Sequence, residues 1–266
     1  MLRTVNACRY VQPLREGGSL PALVEADDGA LYVVKLRGAG QGTLALVAEL
    51  ISGEIARVLG LNVPELVLVE VDELFGKAER DPEIQHLLRA STGSNLGMAF
   101  LAGSTTFDPA AGDSTDAFTA SLLVWLDAFT MNVDRTSRNA NLLLWKSQSN
   151  LPTALWLIDH GASLYFHHNW ATAPEKALAP FAQVADHILL RSATKLAEAS
   201  AHAHAGLSPA AFEQILTQVP DDWLAVQGED DTADQVRKRY LEFLSTRLER
   251  SRIFEEEVER ARANGL

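Results

Sequence analysis

Asn132-Val133-Asp134-Arg135-Thr136-Ser137-Arg138-Asn139 follows one apolar run, and Ile158-Asp159-His160-Gly161 closes another. Between them, residues 141–145 and 154–158 are short apolar segments joined by a polar turn at 146–152. If these segments pair as a hairpin, the loop before the first lies beside the end of the second. Asp134 and Asn139, five apart in one loop, then converge with Asp159.

Residues N-terminal to this hairpin read mostly as strands. Residues 5–14, 20–26, 30–36, 64–71 and 95–101 have strand character, and Asp27-Asp28-Gly29 is a hairpin turn signal. Leu31-Tyr32-Val33-Val34-Lys35-Leu36 is rich in β-formers and holds one lysine. A helix starts at Thr43 and runs to about Leu59, with Leu44, Val47, Ile51, Ile55 and Val58 as its apolar stripe and Gly60 ending it. Residues 72–90 are polar and read as helical. On the C-terminal side, residues 114–131, 177–205 and 208–219 read as helices, and 232–263 as one long charged amphipathic helix. The fold class is therefore α+β and bilobed: a strand-rich N-terminal lobe over residues 1–101 and a mainly helical C-terminal lobe over 102–266. The hairpin stands at the seam, where both lobes contribute walls to a cleft.

Composition excludes several classes of function. Twenty-three basic against 35 acidic residues leave a formal charge of −12 over 266 residues, which argues against a broad nucleic-acid footprint. Cys8 is the single cysteine, so neither an intrachain disulfide nor a thiolate metal cage can form, as suits a reducing cytoplasm. The start, MLRTVNACRY, lacks the apolar core of a signal peptide, and no uncharged run approaches a membrane span. A cytoplasmic protein is expected.

Phosphoryl transfer from a nucleoside triphosphate needs a carboxylate for the acceptor hydroxyl and oxygen ligands for Mg²⁺. Asp134 suits the first role, and Asn139 with Asp159 the second. Taken singly, each has a plainer reading as a turn or cap residue. Their order and spacing carry the argument. Lys35 needs an anionic partner if its strand is buried. The phosphates of ATP supply one, with a helix carboxylate as brace; the plainer reading is an edge-strand lysine that snorkels to solvent. Glu49 and Glu54 both stand on that helix, and spacing alone does not choose between them. Gly17-Gly18-Ser19, ahead of the lysine strand, reads either as a backbone cradle for phosphate or as a plain turn. Ala99, Phe100 and Leu101 read either as a lobe connector offering backbone groups to adenine or as an ordinary buried strand. Arg135 and Arg138 either balance the clustered acids and the transferring group or are solvated loop cations. Asn132 and Asp127 are expected to hold the loop backbone, with Asn141 as a spare amide. The pairs His167-His168 and His202/His204 lack the spacing of a zinc site.

With these residues in place, the chain resembles the HipA-like kinases over about residues 10–165. The likeness rests on Tyr32-Val33-Val34-Lys35, Leu59-Gly60-Leu61-Asn62-Val63-Pro64, Phe100-Leu101-Ala102-Gly103, Asn132-Val133-Asp134-Arg135, Asn139 and Ile158-Asp159-His160-Gly161. It implies a protein-kinase-like fold of the phosphoinositide-kinase type. The family's helix glutamate stands about eleven residues before the Gly-Leu pair, and that position is Glu49. The resemblance implies Lys35 on phosphate, Asp134 as catalytic base, and Asn139 and Asp159 on Mg²⁺. Thr136 stands where the family often has histidine, and His160 where many kinases have phenylalanine. The expected activity is an ATP- and Mg²⁺-dependent serine/threonine kinase acting on a protein phosphoacceptor. Small-molecule acceptors (lipid, sugar or antibiotic) and a non-catalytic nucleotide-binding module are the alternatives.

Overall fold

Alternation in the lysine strand sets two faces. Tyr32 and Val34 are buried, while Val33 and Lys35 on the opposite face are half-buried. The computed structural model describes residues 1–14, 21–40, 42–77, 79–146, 148, 150–224 and 231–265; Gly17, Gly18 and Ser19 lie outside the described residues. Strands β1 (Arg3–Pro13), β2 (Ala22–Ala26) and β3 (Leu31–Lys35) form an antiparallel run. Helix α1 (Gly42–Val58) then leads to β4 (Leu66–Val71), α2 (Pro82–Ala90) and β5 (Gly93–Ala99). β5 lies between β3 and β4, and β4 runs parallel to β1, so the five strands close as a barrel, β1-β2-β3-β5-β4. Closure leaves no unpaired edge.

Tyr32, Val34, Val67 and Val69 fill the barrel interior with Val5 and Val24. Gly97 faces the same interior: a β-carbon there would lie 2.5 Å from Val69 Cγ2 and 3.0 Å from Val67 Cγ2. Gly97→Ala is therefore expected to overpack the barrel and lower stability by about 1–3 kcal/mol, read as a lower urea midpoint. An unchanged midpoint would show that the barrel yields at this point.

Helix α1 is buried nearly all round. Val47, Ile51 and Ile55 are buried as the apolar stripe predicts, but so are Leu46, Glu49 and Leu50, while Val58 is exposed. A helix with no solvated face is one enclosed by other elements. Two later helices deliver that enclosure, as described below. The segment expected to be helical over 72–90 is helical only at α2, capped by the Asp81 side chain, which accepts from Glu83 N.

Strand β6 (Thr105–Thr106) precedes α3 (Ala117–Thr130), and the predicted hairpin is present as β7 (Leu142–Trp145) and β8 (Ala154–Leu157). Helix α3 is the centre of the helical part, with residues 120–130 all buried. Residues 177–205 do not form one helix. They divide into the end of α4 (Ala173–Ala177), short 3₁₀ turns at Ala182–Asp186 and Leu190–Ser192, and α5 (Leu196–Gly206). Pro180 denies a helix its amide donor. Phe181, Val184, Leu189 and Leu190 then enter the core at intervals no single helix face provides. After α6 (Pro209–Leu216), the long C-terminal helix is also two: α7 (Ala233–Glu249) and α8 (Arg252–Asn264). The break lets Tyr240, Phe243 and Leu244 pack from α7 while Phe254 of α8 meets Trp125 edge-on.

Arg247, on α7, is almost wholly buried and has no carboxylate partner among the described residues. It donates to the carbonyls of Ala128 (2.7 Å), Phe129 (2.8 Å), Lys176 (3.1 Å), Ala177 (3.3 Å) and Ala179 (3.0 Å). These oxygens belong to helix C-terminal turns and their exits, the negative ends of the helix dipoles. Burial pulls the guanidinium down to about 10, so it stays charged at neutral pH.

Several bonds fasten the barrel side to the helical part. Trp223, fully buried, donates its indole N–H to Ser94 O at 3.0 Å, and Asp222 pairs with Arg37. His202 Nε2 donates to Leu59 O at 3.1 Å, and Leu157 N to Asn62 O at 2.8 Å. With α6, these contacts form the far wall against α1. Among the described residues no helix is long and apolar enough to cross a membrane.

Candidate active site

The hairpin does what the spacing predicts. Leu142 pairs with Leu157, and Ile158 N donates to Asn141 O at 3.1 Å, so Asn139 and Asp159 extend from the same end of the ladder. Both line a cleft of about 830 Å³ between barrel and helices. Val33, Leu66, Leu96 and Met98 give it an apolar wall from the outward barrel face, with Leu142 and Ile158 opposite. Lys35, Glu49 and Asn141 also line it.

Lys35 Nζ lies 2.6 Å from Glu49 Oε2 and 2.5 Å from Asp159 Oδ1. Burial alone would pull the ammonium down, but the two carboxylates outweigh it and hold its pKa above the ordinary value. For Asp159 burial acts upward, and Lys35 overrides it, leaving the carboxyl below its ordinary range. The Glu49/Glu54 choice is thereby resolved in geometry: Glu54 pairs with Arg57 at 3.1 Å, one helical turn on. Gly161 permits the approach. A β-carbon there would stand 3.3 Å from Lys35 Nζ and 3.5 Å from Glu49 Oε2.

Asp134 is held from three sides. Its N–H donates to Asn132 Oδ1 at 3.1 Å. Its Oδ2 accepts from Asn139 Nδ2 at 2.8 Å and from Asn141 Nδ2 at 3.2 Å. The amide nitrogen of Asn139 is thus committed to Asp134, which leaves its oxygen for a cation. An amide oxygen and a carboxylate are hard donors of the kind Mg²⁺ takes, so the set fits that ion. Met131, Asn141, Asp159 and Leu164 are the described non-glycine residues with left-handed backbone, at φ of 59°, 48°, 54° and 55°. Asn141 and Asp159 line the cleft, while Met131 is the left-handed C-cap of α3.

Arg135 balances an acid, as one of its two readings had it, but that acid is the buried Asp127 beneath the loop, and Arg135 does not line the cleft. It is 1% exposed, and its Nε donates to Asp127 Oδ2 at 2.6 Å. Its Nη1 donates to Asn141 O and, at 3.5 Å, to Ile158 O, and its Nη2 lies 3.4 Å from His160 Nδ1. One guanidinium therefore ties α3, the Asp134 loop and both ends of the hairpin. Asp127 also accepts from His187 Nε2 at 2.9 Å and Asn132 Nδ2 at 3.1 Å. Burial would raise this carboxyl, but Arg135 and His187 bring it down to about 2. The roles expected for Asp127 and Asn132 are as drawn. His187 was not singled out in the sequence, because a histidine 60 residues from its partner has no local signal. Arg138 is exposed and lines the cleft.

Ala99, Phe100 and Leu101 line the cleft as well. Ala99 N donates to Glu65 O at 2.8 Å and Phe100 N to Leu31 O at 2.9 Å. Leu101 N–H has no backbone acceptor among the described residues. No cluster of three or more histidine, cysteine or acidic side chains that could hold a metal occurs among the described residues. Cys8 is exposed and does not line the cleft.

Two buried histidines bear on pH dependence. Burial takes His160 down to about 4 and His167 down to about 3 from an ordinary 6.5. His167 Nδ1 lies 2.8 Å from the buried Tyr240 hydroxyl, whose pKa burial raises, so the hydroxyl donates and the imidazole is neutral. Below pH 6.5 the unfolded chain binds protons that these folded histidines refuse, so stability falls on acidification. Each contributes a slope of about 1 kcal/mol per pH unit between 6.5 and its folded value. Urea midpoints are expected to drop from pH 7 to pH 5, and to drop less steeply in His167→Phe. Equal slopes in the two proteins would refute the assignment.

Residues 8–256 match the family model described as HipA-like kinase. No curated protein matches the sequence. Among solved structures, the Helicobacter pylori proinflammatory kinase CtkA is similar over 99% of each chain, with a TM-score of 0.53 at 13% identity. The golgi casein kinase aligns over 94% of this chain and 72% of its own, with a TM-score of 0.42 at 12% identity. The first likeness is one of fold.

Proposed function

Because the chain belongs to the HipA-like kinase family, and is on that ground an ATP-using phosphotransferase, we propose that it phosphorylates serine or threonine hydroxyls of a protein, with Mg²⁺ held by Asn139 and Asp159. One observation carries the reading: a half-buried lysine, 2.6 Å from a helix glutamate and 2.5 Å from Asp159, faces a cleft that Asn139 also lines. In this reading Mg²⁺-ATP supplies the phosphoryl group and the charge neutralisation around it. Lys35 binds the α- and β-phosphates, and Glu49 keeps its ammonium in place. The apolar wall of Val33, Leu96 and Met98 takes the base, with the connector Ala99–Leu101 at its edge.

Asp134 receives the acceptor. Its Oδ2 is occupied by two amide donors, so Oδ1 is the oxygen that accepts the hydroxyl proton. Asp159, paired with Lys35, would hold the cation together with Asn139.

The test is transfer of labelled phosphate from ATP to protein in a cell lysate, with Mg²⁺ and with EDTA. Label is expected on phosphoserine or phosphothreonine, lost with EDTA and in Asp159→Asn. Label that persists in that variant, or that lies on tyrosine or only on small molecules, would overturn the proposal.

A further inference from the structure

His160 lies between Arg135 and helix α1, behind the cleft-lining Asp159. Its ring is buried, and Nδ1 faces Arg135 Nη2 at 3.4 Å. A guanidinium only donates, so Nδ1 accepts and the proton of the neutral ring resides on Nε2. Nε2 is buried and has no partner among the described residues. On α1, Glu49 Oε1 is likewise buried without a partner, and so is Ser52 Oγ one turn further along. Glu49 uses only Oε2 for Lys35.

These unpartnered atoms belong to one locality. A β-carbon on Gly53 would lie 3.8 Å from His160 Cδ2, the ring atom bonded to Nε2. Gly161, the residue after His160, approaches Glu49 Oε2 to 3.5 Å by the same measure. The Nε2 edge of the ring therefore points toward the turn of α1 that carries Glu49 and Ser52. A buried donor and a buried acceptor are costly to leave unpaired, and buried polar gaps of this kind are where ordered water resides.

We propose that a buried water joins His160 Nε2–H to Glu49 Oε1, with Ser52 Oγ as third partner, and that His160 is thereby a positioning residue for the Lys35–Glu49 pair. The chain of contacts runs from Arg135 through the imidazole and the water to the glutamate, and ends at the lysine. A phenylalanine at this position would pack on α1 but hold neither end. This inference rests on the kinase reading only for its consequence, the grip of Lys35 on phosphate; the water and the tautomer stand apart from it.

Imidazole ¹⁵N spectra of nucleotide-free wild-type protein test the hydrogen-bonded part without any turnover. His160 is expected as the neutral Nε2–H tautomer with a slowly exchanging proton. The Nδ1–H tautomer, or a rapidly exchanging proton, would overturn the proposal. A crystal structure at high resolution should show one water within hydrogen-bond distance of both Nε2 and Oε1; a dry gap would overturn it too. His160→Phe is expected to raise KM for ATP about tenfold with kcat within about threefold, because the loss falls on phosphate binding in ground and transition states alike. His160→Gln, which restores a donor near the Nε2 position, is expected to recover most of that loss. A merely structural role would instead lower the active fraction and leave KM unchanged. If no acceptor can be found and the kinase reading fails, the spectra and the water still decide the link to Glu49.

Discussion

Asp134→Asn is expected to reduce kcat for phosphoryl transfer by about 10²–10⁴-fold while the melting temperature and ATP affinity stay close to wild type. The substitution keeps the shape of the side chain. An amide oxygen can still accept from Asn139 and Asn141, as Oδ2 does now at 2.8 Å and 3.2 Å. What the amide cannot do is take a proton, and its NH₂ would face the acceptor in place of Oδ1. Nucleotide contacts are unaffected, because Lys35, Glu49 and Asp159 reach the cleft from other elements. Initial rates over a range of ATP concentrations, with calorimetric ATP titration of both proteins, separate the effects. A variant that turns over at the wild-type rate would remove Asp134 from the chemistry.

Asp127→Ala is expected to cost about 3–5 kcal/mol of folding stability, the penalty of stranding a buried cation. Arg135 is 1% exposed, and Asp127 is the carboxylate it meets. Losing it also frees His187 and Asn132, and with Asn132 the bond that fixes the backbone of Asp134. Activity should therefore fall even at temperatures where the variant is folded. Acid behaviour gives an independent check. Because the folded carboxyl sits at about 2, below its ordinary 3.8, its contribution is present above the ordinary value and is lost as the pH falls through 2. The stability difference between wild type and variant should shrink over that window. A midpoint in urea within 1 kcal/mol of wild type at pH 7 would contradict the clamp.

The hairpin and its two polar ends were legible because they are local. Spacing within one loop and at the end of one strand survives any arrangement of the rest. Lys35 was legible as a lysine out of place in an apolar strand, but its partner was not: Glu49 and Glu54 lie on one helix, and only the family likeness chose before the structure did. Barrel closure was hidden, because β1 and β4 pair across some sixty residues and period-2 patterning does not say which strand lies beside which. The helix predicted over 177–205 followed alanine-rich composition and missed the demands of Pro180, Phe181 and Val184. Arg135 was left between balancing acids and facing solvent for a related reason. A charged residue in a polar loop looks solvated, and nothing nearby in the chain shows that a carboxylate eight residues back waits beneath it. Arg247 is the extreme case: its partners are backbone oxygens, which leave no trace in residue identity.

Trp223 on Ser94, Asp222 on Arg37 and His202 on Leu59 act as rivets between the two halves. Prising the jaws apart would shear all of them and uncover an indole with no exposed surface. Any outward swing of the Glu49 helix against the helical half would first have to break these bonds, and that sets the cost of parting the cleft.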